Sequence, residues 1–125
     1  MTHISTNHIT ASVANALQYI SYYHPPDFIE SMSRAYEREA SESAKNAIGQ
    51  ILINSRMAAE GQRPMCQDTG IVVVFIKLGQ SVVIDGDISL QNAIDNGVRQ
   101  AYTDPDNPLR ASVVSPPIGE RRNTG

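Results

Sequence analysis

The chain has 125 residues, 41% hydrophobic and 18% charged, with ten Lys plus Arg against thirteen Asp plus Glu and a formal net charge of -3. A chain of this length buries roughly two thirds of the surface its unfolded form exposes, enough for one core without disulfide or metal, which argues against intrinsic disorder. Mild acidity, with no basic run longer than Arg121-Arg122, argues against nucleic acid and anionic membrane surfaces as partners.

No stretch approaches the roughly 20 apolar residues of a membrane span. The N-terminus Met1-Thr2-His3-Ile4-Ser5 has neither the basic nor the apolar region of a secretory signal. A cytoplasmic protein is expected, and the single cysteine, Cys66, agrees with a reducing compartment.

In chain order, apolar residues first recur at helical spacing in three successive segments. Ile9, Val13, Ala16, Leu17 and Ile20 mark one helix. A second opens at Pro25-Pro26-Asp27, where proline suits the first turn and Asp27 and Glu30 complement the positive helix end. A third starts near Ser41 or Ser43 as cap and runs out at Gly61. The period then changes. Ile71-Val72-Val73-Val74-Phe75-Ile76 is a β-branched and aromatic run, too short for an ordinary helix and predicted to be a strand buried on both faces. Leu78-Gly79-Gln80-Ser81 is predicted to turn it back into Val82-Val83-Ile84 as a hairpin, closed by Asp85-Gly86-Asp87. Ser89 caps a fourth predicted helix, with a stripe of Leu90, Ala93, Ile94, Val98 and Ala101 that ends at Asp104-Pro105. Ala111-Ser112-Val113-Val114 is a short strand candidate, and Ser115 to Gly125 has neither period. The expected fold class is α+β: N-terminal helices, a β-hairpin, a further helix and a short strand, forming an incomplete part of a larger domain.

The segment Pro64-Met65-Cys66-Gln67-Asp68-Thr69-Gly70 follows a predicted helix and precedes a predicted strand, a position in which loops carry sites. It packs a thiol, an amide, a carboxylate and a hydroxyl into consecutive positions before a glycine that admits close backbone approach. Two readings fit these residues: a buried structural cysteine beside a turn, or a ligating and proton-handling cluster. His3, His8 and His24 have no partner at ligand spacing, and no metal role is expected of them.

Together with Asn107-Pro108-Leu109-Arg110-Ala111-Ser112, Arg122-Asn123-Thr124-Gly125 and the stretch Phe28 to Gly70, this block resembles the N-terminal part of class I fumarate hydratase, in the fumarase and tartrate dehydratase superfamily. The resemblance implies a [4Fe-4S] cluster held by three cysteines, with Cys66 at the first ligand position and one iron open to substrate. It implies that Gln67 hydrogen-bonds the substrate, that Asp68 binds it and takes part in catalysis, and that Arg110 binds a substrate carboxylate. Without the resemblance, Gln67 and Asp68 read as loop-satisfying groups and Arg110 as a surface arginine.

No cysteine follows Cys66, whereas the family places two further ligands downstream. Residues 1–125 are therefore expected to be an N-terminal fragment of an iron–sulfur hydro-lyase catalytic domain, inactive alone. The parent enzyme is expected to interconvert fumarate and (S)-malate as a homodimer, the remainder of the enzyme being this chain's partner and a small dicarboxylate its substrate. The alternatives are the α subunit of an L(+)-tartrate dehydratase, or a non-enzymatic truncated interaction domain.

Overall fold

The computed structural model describes residues 1–66, 71–106 and 109. They hold two short strands and four helices, in the order β1 (Thr2–Ser5), α1 (Thr6–Tyr22), α2 (Pro26–Arg38), α3 (Glu42–Gly61), β2 (Val82–Asp85) and α4 (Leu90–Thr103). The class is α+β, as expected. The residues form two compact units, one within Met1–Gln18 and Gln67–Gly125 and the other within Tyr19–Cys66.

In the first unit, β1 and β2 pair in parallel, with Thr2 opposite Val82 and Ser5 opposite Asp85. A His3 Nδ1 to Asp85 Oδ2 contact of 2.7 Å joins the two strands. This corrects the predicted hairpin. The turn itself forms, since the Val82 N–H donates to the Gly79 carbonyl at 3.1 Å. Yet β2 pairs with the N-terminal strand, and residues 71–79 belong to no strand. The run expected to be buried on both faces is largely exposed, Phe75 at 94%. Its β-branched and aromatic composition gives it a strand-like pattern, but among the described residues it has no strand partner.

Each strand leads into a helix, and those helices meet along a seam of small residues. Ala93, Gly97 and Ala101 recur every fourth residue on α4 and are buried. Thr10 Oγ1 of α1 donates to the Ala93 carbonyl at 2.9 Å, and Gln18 Nε2 donates to the Ala101 carbonyl at 2.8 Å. The partners advance equally along both helices, so α1 and α4 run parallel, like the strands before them. A Cβ at Gly97 would fall 2.6 Å from the Thr10 carbonyl oxygen, so glycine there permits the close approach. Ser89 caps α4 through its hydroxyl, which accepts from the Asn92 N–H at 3.1 Å.

In the second unit, α2 and α3 follow their sequence signals. Pro26 opens α2 with Asp27 in the first turn and Arg38 in the last. α3 starts after Ser41. It ends where expected: Gly61 is the last helical residue, and Gln62 after it takes the left-handed conformation at φ 47. The Arg63 N–H then donates to the Ala58 carbonyl at 3.1 Å, the long-range bond of a Schellman-type stop. The strand candidate at Ala111–Val114 lies outside the described residues. No helix among the described residues is long and apolar enough to cross a membrane.

Candidate functional site

The chain reverses after α3 and arrives at Cys66 through a residue held on both sides. The Met65 N–H donates to the Ser21 carbonyl near the end of α1 at 2.9 Å. Asn54 Nδ2, two turns before the end of α3, donates to the Met65 carbonyl at 2.7 Å. Met65 therefore has both backbone polar groups satisfied, one by α1 and one by α3, and the next residue leaves from a fixed point. Cys66 is exposed, with a free thiol.

Asn54 was not singled out by sequence reasoning. The available signal was an asparagine inside a helix, where its propensity is poor and a local reason is needed. Next to it, Ser55 is buried, and its hydroxyl hydrogen-bonds His24 Nδ1 at 2.9 Å. The His24 ring also stacks on Phe28, centroids 4.3 Å apart, so this histidine ties the start of α2 to the middle of α3.

Gln67, Asp68 and Arg110, the other predicted site residues, lie outside the described residues. Among the described residues no group of three or more His, Cys, Asp or Glu could hold a metal ion, and the chain has one cysteine. These residues fit one ligand position of an iron–sulfur cluster and do not fit the complete ligand set, which needs further thiolates.

Residues 10–125 match the family model for fumarate hydratase (Fumerase). The chain belongs to the fumarate hydratase family. It is 34% identical over 116 residues to a putative L(+)-tartrate dehydratase subunit alpha of Methanocaldococcus jannaschii, covering 93% of this chain and 40% of that protein. It is 31% identical over 121 residues to the L(+)-tartrate dehydratase subunit alpha of Escherichia coli strain K12, covering 97% of this chain and 38% of that protein. The same identity and coverage hold for the subunit alpha of Shigella boydii. This family member thus spans about two fifths of the length of the curated relatives it matches.

Proposed function

We propose that this chain is the N-terminal part of an iron–sulfur hydro-lyase that reversibly adds water across the double bond of a small dicarboxylate, interconverting fumarate and (S)-malate in the cytoplasm. The observation that carries the reading is the family match, which takes in the whole Cys66-Gln67-Asp68-Thr69-Gly70 block. The exposed thiol, leaving a doubly held Met65, supports it.

In this reading Cys66 is one of three thiolates of a [4Fe-4S] cluster, the others lying in polypeptide outside these 125 residues. When bound, such a cluster supplies a Lewis-acidic iron. Arg110 offers a planar fork of donors to one substrate carboxylate, Gln67 hydrogen-bonds the substrate, and Asp68 moves a proton at the substrate carbon or oxygen. The complete protein acts as a homodimer, and residues 1–125 alone are inactive.

A second reading is favoured by the names of the relatives, which are L(+)-tartrate dehydratase alpha subunits. It keeps the hydro-lyase chemistry, changes the substrate to tartrate and replaces the homodimer by an assembly with another subunit. Assaying the complete, anaerobically iron-loaded protein with fumarate, (S)-malate and L(+)-tartrate separates the two. Fumarate hydration supports the first and turnover of tartrate alone the second. An iron-replete protein that turns over none of them, either alone or together with any subunit that co-purifies with it, overturns both and leaves the interaction domain.

A further inference from the structure

Residues 71–78 make no hydrogen bond among the described residues, yet their exposure alternates as in a strand. Ile71, Val73 and Phe75 are exposed at 76%, 63% and 94%, while Val74 and Ile76 stand at 42% and 50% and Val72 is half-buried. Val72, Val73, Val74 and Ile76 line a hollow against Ile94 and Val98 of α4. A period of two places alternate side chains on opposite faces: Val72, Val74 and Ile76 are the less exposed set, beside α4, and Ile71, Val73 and Phe75 the more exposed set, which no described residue buries. No charge occurs between Ile71 and Ile76, although exposed edges are normally blunted by charge, proline or a bulge.

The neighbouring sheet is also incomplete. It has only β1 and β2 among the described residues, whereas parallel sheets are found with both faces covered and two strands fall short of independent stability. An open cleft of about 750 Å³, lined by Ile4 of β1, Ile84 of β2, Ile94 of α4 and by Val74, Ile76 and Leu78, lies beside it. The matched part accounts for only 38–40% of the length of the relatives, so proteins of this family have ample further chain to cover such a surface.

We propose that residues 71–76 are a docking strand for polypeptide of the same protein outside these 125 residues, which adds an apolar strand to this run and buries Ile71, Val73 and Phe75. The recognition is strand addition: main-chain hydrogen bonds supply the register, and alternate apolar side chains supply the fit. The source of the added strand rests on the reading of this chain as part of a longer hydro-lyase; the bare face does not. Hydrogen–deuterium exchange on the unmodified complete protein, at protein concentrations differing a hundredfold, tests it without turnover, so a failure of the activity assay is distinguishable. The amides of residues 71–76 are expected to exchange at least about a hundredfold slower than free peptide, at a rate independent of protein concentration. Exchange at the free-peptide rate overturns the proposal. Protection that disappears on dilution also overturns it, since the occupant is then a second copy of the protein.

Discussion

Replacing Gly97 by alanine sets two opposing terms against each other. Alanine is favoured over glycine in a helix interior by about 0.8–1 kcal/mol, so the change stabilises α4 taken alone. In the folded chain the new Cβ falls 2.6 Å from the Thr10 carbonyl oxygen and 2.7 Å from Val13 Cβ. The first of these is backbone and cannot rotate away, so α1 and α4 must part by roughly half an ångström or more, an overpacking that costs about 1–3 kcal/mol. Parting also strains the Thr10–Ala93 and Gln18–Ala101 hydrogen bonds at 2.9 and 2.8 Å, each contributing about 0.5–1.5 kcal/mol. The steric and hydrogen-bond terms together exceed the propensity gain by about 1–3 kcal/mol. Urea unfolding followed by far-ultraviolet circular dichroism should show a midpoint lowered by about 1 M with an unchanged slope. Gly49→Ala in α3 is the control. Its Cβ would meet only the Tyr36 ring edge at 3.2 Å, on a partly exposed side chain that can give way more easily than backbone, and the variant should gain up to about 1 kcal/mol. A Gly97→Ala protein as stable as the parent would refute the close-packed seam.

At the candidate site, Asn54→Ala removes the donor to the Met65 carbonyl. It should cost about 0.5–1 kcal/mol and speed hydrogen exchange at the Met65 amide, which measures loosening of the approach to Cys66. In the complete protein, Asp68→Asn keeps the shape of the side chain but cannot shuttle a proton, so kcat should fall by about a hundredfold or more; the visible cluster absorbance should survive. Arg110→Lys loses bidentate pairing, and kcat/KM should drop at least about tenfold in steady-state assays.

The helices were legible because each carries local chemistry: Pro26 with Asp27 at the start of α2, Ser89 before α4, and apolar residues at helical steps in all four. β1 was not, since Thr2–Ser5 is only four residues long and contains one aliphatic side chain, Ile4. Its pairing with β2 was equally hidden, because a parallel pair has no turn signature and its partners are far apart in sequence. The nearby turn at Gly79 suggested the wrong partner for β2. The role of Gly97 is hidden in the sequence for a related reason: glycine lowers helix propensity, and its value appears only when Thr10 is placed against it. The cysteine block was visible as chemistry in one line of sequence, but the Asn54 brace that holds its approach depends on the reversal after α3.

The bond between Ser21 and Met65 also bears on the order in which the protein assembles. Ser5 must wait for Asp85 before the strands can pair, and an ungathered loop of that length costs about 4 kcal/mol of closure entropy. Once α2 and α3 have folded, their excursion leaves and returns at one point, and the span still to be closed is less than half as long. The entropy recovered is about 0.7 kcal/mol, roughly a threefold gain in the chance of strand encounter. A chain leaving the ribosome can gather this helical excursion before β2 exists, so a variant that weakens α3 should slow strand pairing without touching either strand.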